Sequence, residues 1–448
     1  MTDRIVSSVE DRSARGIAAA LSRLIADGTL TVGLRLPTVR ELAKALGTSP
    51  TTVSEAWRTL ARVGAIEARG RLGTFVTNAP GPLGPRRYRR VTEGHGHFRQ
   101  DLSTGTPDPD LLPDLGPALA RVSRQNLTTS YLDDPVMPAL DEVLRASWPF
   151  APEALTVVDG AMDALDRIAA VTVRLGSRVL VENPCFPPLL DLLEQLGAEV
   201  LGLELDDQGI VPESLVGALS LDPVALFLQP RAHNPAGVSM TTARARRLAA
   251  LLRGHTIVIV EDDHAGDIAS APLVSLGTHL PDRTVHIRSF SKSHGPDLRL
   301  AAVGGAGEPI ADVVNRRIVG PGWSSRLLQS VLVDMLTDDA TIASIDRACA
   351  TYAQRRARLT AELASRGVGY SGTDGINLWV DVADERTALV LLAAQGIGAA
   401  PGTPFLVGDR ASPQHLRITV GQVRDGFDVL ADQLAVAAAG SERSRPRR

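Results

Sequence analysis

"VHIRSFSKSHGPDLRLAAVGG", residues 285–305, is the stretch from which the fold is read. A short β-rich run, VHIRSF, ends at Ser289–Phe290–Ser291–Lys292, and an apolar run follows from Leu300. Lysine is seldom buried beside such runs unless an amine is needed there. Open α/β sheets bind ligands at the carboxyl ends of their strands, so the neighbouring strand ends come next. TIVIV (256–260) runs into Glu261–Asp262–Asp263–His264, and VALFLQP (224–230) into RAHNPAG with Asn234. SRVLV (177–181) reaches Glu182–Asn183–Pro184–Cys185–Phe186. TVVDG (156–160) leads through Gly160–Ala161–Met162 into a helix whose free N–H groups favour a phosphate. With AEVLGLEL (198–205) and LAAVGG, these runs alternate with helical ones, which predicts parallel strands joined by helices.

Each strand end carries a different tool, and together they suit pyridoxal 5′-phosphate (PLP). Lys292 supplies the amine for a Schiff base with the aldehyde. Asp262 supplies a carboxylate to keep the pyridine nitrogen protonated. Ser289, Ser291, Gly160–Ala161–Met162 and Arg299 supply hydroxyls, a helix N-terminus and a cation for the phosphate. Phe186 is placed to stack on the ring and Asn234 to donate to its 3-oxygen. Arg417, in HLRITV, suits a bidentate clamp on a substrate carboxylate. Taken singly, each feature has a plainer reading: S-x-S-K as a surface piece, HNPAG as a turn, EDDHAG as a solvated loop or metal site, Arg417 as a surface ion pair. Their order along one alternating α/β chain is what favours the cofactor.

Towards the N-terminus the chemistry changes. Residues 1–90 hold 15 Lys+Arg against 7 Asp+Glu, and the remainder holds 32 against 44. A basic head on an acidic body points to a polyanionic partner, although four of those arginines, in PRRYRR (85–90), equally fit a linker. Ile17, Leu21, Leu24 and Ile25 share one helical face. Val39, Leu42, Ala43 and Leu46 repeat at i, i+3, i+4 and i+7, a short amphipathic helix. Gly47 supplies a turn, Ser49 caps a new helix and Pro50 opens it. On that helix Val53, Trp57 and Leu60 are expected inward, and Thr51, Thr52, Ser54 and Arg58 outward. This is a helix-turn-helix, whose second helix enters the major groove. Ile66–Ala68 and Thr74–Val76 then flank RGRLG, a basic hairpin tip suited to phosphate or minor groove. A structural three-helix module would share much of this periodicity.

The chain of 448 residues is too long for one ordinary core and carries a soluble protein's balance of 44% hydrophobic and 22% charged residues. Its first residues lack a secretory apolar core, and no stretch reaches the length of a membrane span. Two cysteines, Cys185 and Cys349, exclude a disulfide framework and favour a reducing cytoplasm. Residues 78–100 are rich in Pro, Gly and Arg and are expected to be a semi-extended linker; GHGHF (94–98) within it is read as linker rather than metal site. The expected organisation is therefore a DNA-binding domain over 1–77, a linker over 78–100, an α/β domain over 101–438 and a disordered basic tail over 439–448.

Both halves resemble known families. LPTVRELAKALGTS…TTV…L…G…GTFV resembles the DNA-binding domain of GntR-family regulators, which implies operator contacts from Arg40, Ser49, Thr51 and Thr52, with Arg69 and Arg71 in the wing. Pro50 and Ser54 stand where that family usually has basic residues, implying an uncommon operator. NP-x-G, E-D-D, S-x-S-K, an arginine seven residues on and a late arginine make residues 101–438 resemble fold-type I PLP enzymes of the class I/II aminotransferases. The whole chain, with DLSTGTPDPDLLPD (101–114), resembles the MocR subfamily of bacterial transcription regulators. That resemblance implies an internal aldimine on Lys292, Asp262 on the ring nitrogen, Arg299 on phosphate, and a head-to-tail homodimer in which Tyr131 reaches the neighbour's phosphate. His264 replaces the usual tyrosine donor to the 3-oxygen, the glycine expected soon after Tyr131 is absent, with Val136–Met137 nearby, and Cys185–Phe186 replace the usual residue and tyrosine.

Three functions follow: a regulator sensing PLP or an amine condensed with it, an aminotransferase with an accessory DNA-binding head, or a repressor with an inert body. The GntR-like head favours the first, the full set of catalytic residues keeps the second, and their retention argues against the third.

Overall fold

The computed structural model describes all residues except 1, 10, 27, 63–64, 78–84, 93–97, 125–129, 131–132, 409–412 and 441–448, and the side chains of 26, 62 and 71. Two compact units emerge: Met1–Arg86 with Val173–Arg178 and Asp191–Val200, and Arg87–Thr172 with Val179–Leu190 and Leu201–Arg448.

In the first unit, α1 (Thr2–Ser8), α2 (Ala14–Ala26), α3 (Val39–Leu46) and α4 (Pro50–Arg62) surround an apolar core. Ile5, Ile17, Leu21, Leu42, Leu46, Val53 and Leu60 are all buried in it. Each such side chain contributes roughly 1.5–3 kcal/mol on leaving water. Helix α3 starts at a capping box: the Thr38 hydroxyl accepts from Glu41 N, and the Glu41 carboxylate accepts from Thr38 N. It ends at Gly47 with φ 64°, the left-handed conformation that turns the chain into the next helix. Ser49 Oγ then accepts from Thr52 N at 3.0 Å, capping α4. Strands β1 (Ile66–Ala68) and β2 (Thr74–Val76) pair antiparallel around Gly70–Leu72 to form the wing. Helix α1 was not foreseen, because its charged sequence hides the apolar pair Ile5 and Val9, four residues apart.

The chain enters the second unit through α5 (Arg86–Thr92) and β3 (Gln100–Asp101). The expected semi-extended linker thus contains a helix, whose Val91 is buried against Trp379, Ala400 and Phe405. Most of the central histidine-bearing stretch of that linker lies outside the described residues, as does the tail beyond Gly440.

The main sheet holds β4 (Ala154–Val158), β5 (Arg178–Asn183), β6 (Glu199–Asp206), β7 (Gly209–Ile210), β8 (Ala225–Leu228), β9 (Val258–Asp263), β10 (Thr284–Ser289) and β11 (Ala301–Gly305). Their spatial order is β4-β11-β10-β9-β8-β5-β6-β7. The centre, β5-β8-β9-β10, is parallel. Strand β8 is a continuous apolar run, Ala225–Leu228, buried throughout as a strand covered on both faces must be, whereas β9 is apolar only up to its acidic end. One strand departs from the expected parallel order: β11 runs antiparallel to β10. The 290–300 connection carries only a turn over 291–294 and the short 3-10 helix Pro296–Leu298, too little for a crossover back to a parallel start. Because β4 is in turn antiparallel to β11, it points the same way as β10. The ends of β4, β8, β9 and β10 therefore open on one edge.

A smaller sheet of Tyr370–Ser371, Leu378–Val382, Gln414–Ile418 and Ala400–Pro401 is antiparallel. Strand alternation buries Leu416 and Ile418 in the core beneath it and turns Arg417 to the other face. Among the described residues, no helix is long and apolar enough to cross a membrane.

Candidate functional site

Strand β9 shows how the sheet sorts its chemistry. Three acids follow one another, and alternation sends their side chains to opposite faces. Glu261 accepts from Ser275 Oγ and Leu276 N at 2.6 Å each, and lies 2.9 Å from His286 Nδ1. Asp263 forms a two-pronged ion pair with Arg231, both bonds 2.8 Å. These two hold the fold together. Asp262, between them, faces a cavity of about 410 Å³ at the strand ends.

Lys292, Asp262, His264, Asn234, Phe186, Ser289, Ser291, Arg299, Ala161, Met162 and Arg417 all line that cavity. Gly160, at its corner, has φ 101° and approaches Arg299 so closely that a Cβ there would meet the guanidinium at 3.4 Å. Arg299 Nη2 donates to Asp159 O at 3.2 Å. The exposed guanidinium thus sits over the turn into the helix Ala161–Thr172, a place suited to a phosphate.

The amine lines the same cavity. Lys292 Nζ donates to Gly105 O at 2.6 Å. Burial first, then the Arg417 cation, push its ammonium down from 10.5 to about 8, against the pull of Asp262. Arg417 is 3% exposed; its Nη1 donates to Asn234 Oδ1 at 3.3 Å and its Nη2 to Ser103 O. Gly105, at φ 65°, leaves room for it: a Cβ would lie 2.9 Å from Arg417 Nη1. Burial lowers Arg417 to about 10.

Three buried polar atoms in this cavity have no hydrogen-bond partner among the described residues: Asp262 Oδ1, His264 Nδ1 and Arg417 Nε. A buried polar atom left unpaired costs free energy, which a ligand atom within hydrogen-bond reach would recover. The other oxygen, Asp262 Oδ2, accepts from Gln229 Nε2 at 2.9 Å, and burial raises this carboxyl to about 6. Behind it, burial raises Glu182 to about 8, favouring its neutral form. The donor set fits PLP: an acceptor for a protonated ring nitrogen, an amine for an aldehyde, and a cationic corner for a phosphate.

In the first unit, Arg40, Ser49 and Thr51 are exposed, and Thr52 is half-buried. Ser49 Oγ and Thr52 Oγ1 lie 2.8 Å apart within the cap. Arg69 bonds Glu67 at 3.0 Å and lies over the Phe75 ring at 5.2 Å, so the wing holds this cation in place.

Comparison with known proteins accounts for both units. Residues 13–76 match the model of the bacterial regulatory proteins of the gntR family, and residues 100–434 match aminotransferase class I and II. The vitamin B6 salvage pathway transcriptional repressor PtsJ of Salmonella typhimurium is 34% identical over 93% of this chain and 96% of its own. The chain belongs to the MocR subfamily of GntR-family transcription regulators.

A second relative of this regulator, TauR of Rhodobacter capsulatus, is 27% identical over 89% of this chain and 90% of its own. The body has the fold-type I aminotransferase fold. LysN, the α-aminoadipate aminotransferase of Thermus thermophilus, superimposes with a TM-score of 0.68 at 21% identity, over 78% of this chain and 94% of its own.

Of the residues singled out in the regulator's sequence, those of the body that the structure describes converge on one cavity. Tyr131 and the Arg71 side chain lie outside the described residues. Three participants had not been singled out. Gln229 links Asp262 to Asn234, accepting from Asn234 N at 2.8 Å. The Ser103–Gly105 carbonyls receive both cations, and only the resemblance of DLSTGTPDPDLLPD drew attention there. Tyr88, Val91 and Thr92 of α5 line the cavity from a segment whose composition spoke for a linker.

Proposed function

We propose that this regulator binds PLP at the β8–β10 strand ends and that the vitamer is the signal it senses. The observation that carries this is Asp262 Oδ1, a buried acceptor without a partner, sharing a cavity with the Lys292 amine. When bound, PLP supplies an aldehyde that condenses with an amine and a ring that accepts electrons. The chain's own contributions are local. Lys292 offers its nitrogen, and Asp262 holds a proton on the ring nitrogen. Gly160–Met162, Ser289, Ser291 and Arg299 receive the phosphate, Phe186 covers the ring, and Asn234 and His264 face its 3-oxygen. The name of the relative PtsJ supports a link to vitamin B6 supply. Arg417, buried with an unpaired Nε, supports a second reading in which an amino acid condenses with PLP and is held, or slowly transaminated, there.

Arg40, Ser49, Thr51, Thr52, Arg69 and Arg71 are the residues assigned to double-stranded operator DNA. The working form proposed is a cytoplasmic head-to-tail homodimer. The exposure of Arg299 in a single chain supports a second copy closing the phosphate corner, with Tyr131 as its contribution. The test combines borohydride reduction and peptide mapping with a gel shift on the regulator's own upstream DNA. PLP should be fixed at Lys292 and not in Lys292→Ala, and PLP should change DNA affinity in the wild type. Label on another lysine, or DNA binding indifferent to PLP, refutes the assignment.

A further inference from the structure

Helix α5 is one of the walls of the cavity. Tyr88, Val91 and Thr92, spaced i, i+3 and i+4, present one face of the helix to it. Val91 is 6% exposed and packs into a cluster with Trp379, Ala400 and Phe405. Arg87 Nη1 ties the helix down by donating to Leu406 O at 2.7 Å. The seat beneath it is firm. Cys185 N donates to Phe405 O at 2.7 Å, and Val407 N donates to Asn183 Oδ1 at 3.0 Å, fastening this stretch to the end of β5. The Phe405 ring packs edge-on against Trp379 at 5.5 Å and lies 5.2 Å from the Arg417 guanidinium.

The helix itself has little intrinsic stability to add. It has seven residues, RRYRRVT, four of them like-charged arginines. A helix this short does not persist in water without packing, so it depends on its seat. Tyr88, at the rim, is 45% exposed. The wall therefore stands on the Arg417 side of the cavity, where an amine condensed with PLP would project its substituent.

We propose that α5 is the specificity-determining wall of the ligand cavity: Tyr88, Val91 and Thr92 admit PLP alone or with a small amine, and a bulky amine side chain fits only when the helix leaves its seat. This rests on the reading of the cavity as a PLP site. It adds to that reading a size limit, set by a segment outside the aminotransferase-like sequence match, and makes the helix respond to what is bound.

The test uses full-length, PLP-free protein and two stable probes, phosphopyridoxyl-glycine and phosphopyridoxyl-L-leucine. Affinity is read by titration, and the state of α5 by hydrogen exchange of the peptide covering residues 86–92. The leucine adduct should bind at least about ten-fold more weakly than the glycine adduct, the scale on which a pocket discriminates a few methylenes. At saturation it should speed exchange in α5, whereas PLP and the glycine adduct leave exchange slow. Val91→Asp removes the apolar anchor, and Arg87→Ala removes the bond to Leu406 from outside the cavity. Both should speed α5 exchange without ligand and bring the two adduct affinities together, with PLP still fixed at Lys292 in Arg87→Ala. Equal affinities in the wild type, slow α5 exchange with the leucine adduct bound, or a preference that survives unseating overturns the proposal. If borohydride fixes no PLP at Lys292 of the wild type, the reading of the cavity itself fails and the size limit falls with it.

Discussion

The rate at which Lys292 captures PLP should follow pH in a way an ordinary lysine does not. Only the neutral amine attacks an aldehyde, so the rate follows the neutral fraction. With the ammonium held at about 8 rather than 10.5, that fraction at pH 7 is about one in ten instead of roughly one in 3,000, an advantage of about 300-fold. Burial and the Arg417 cation both disfavour the charged form, so both move its onset to lower pH; Asp262 opposes them. Stopped-flow absorbance on PLP-stripped protein should show a rate climbing about ten-fold per pH unit up to about pH 8 and flattening above it. Arg417→Gln removes a neighbouring cation and should move the flattening point to higher pH, slowing capture at pH 7. Asp262→Asn removes the opposing anion and should move it the other way. A wild-type rate still climbing steeply through pH 9.5, or an onset unmoved by Arg417→Gln, would refute the argument.

Other outcomes follow from the same geometry. Arg40→Ala should weaken binding to the upstream DNA and flatten its salt dependence by about one unit of logarithmic slope, with PLP absorbance unchanged, as read by fluorescence anisotropy across salt concentrations. Ser49→Ala removes the α4 cap and should lower the stability of the DNA-binding unit by about 1 kcal/mol, measured by urea denaturation. Gly105→Ala puts a Cβ against Arg417 on a left-handed backbone, costing about 1–2 kcal/mol; a lowered melting temperature and slower PLP capture should appear together. Arg417→Ala should weaken the response to any carboxylate-bearing amine roughly ten- to hundred-fold more than it weakens the response to PLP alone, seen by titrating DNA affinity with each.

Much of this site was legible because parallel β-strands announce themselves as short apolar runs, and their ends are where ligands gather. Lys292, Asp262 and Asn234 could be placed from that rule; Arg299, which precedes β11, was picked out by the phosphate's need of a cation and by its spacing from Lys292. The order of Gly47, Ser49 and Pro50 likewise marked the helix-turn-helix, since each residue type answers a separate backbone demand. Other features depended on partners distant in sequence. Nothing near Val91 announces that Trp379 and Phe405 will bury it, so composition spoke for a linker where packing makes a helix. Glu261, Asp262 and Asp263 look alike in the sequence; only the partners Ser275 and Arg231 separate the fold-holding pair from the cavity acid. The antiparallel β11 turned on the shortness of the 290–300 connection, which a reading of strand alternation passes over. Gln229 bears no motif, and its role comes from reaching two neighbouring strand ends at once.

The stretch Ser103–Gly105 receives Lys292 on one backbone carbonyl and Arg417 on another, two residues apart. Both acceptors belong to the main chain, so amino-acid replacement does not remove them, whereas a change in the length of the stretch does. A saturation library should therefore tolerate many side chains at Thr104 yet reject single insertions or deletions anywhere between Ser103 and Gly105. It should also reject most replacements of Gly105, where the left-handed turn and the nearby guanidinium leave no space. Chain length here matters more than side-chain identity, and an insertion would separate the two cations without altering either one.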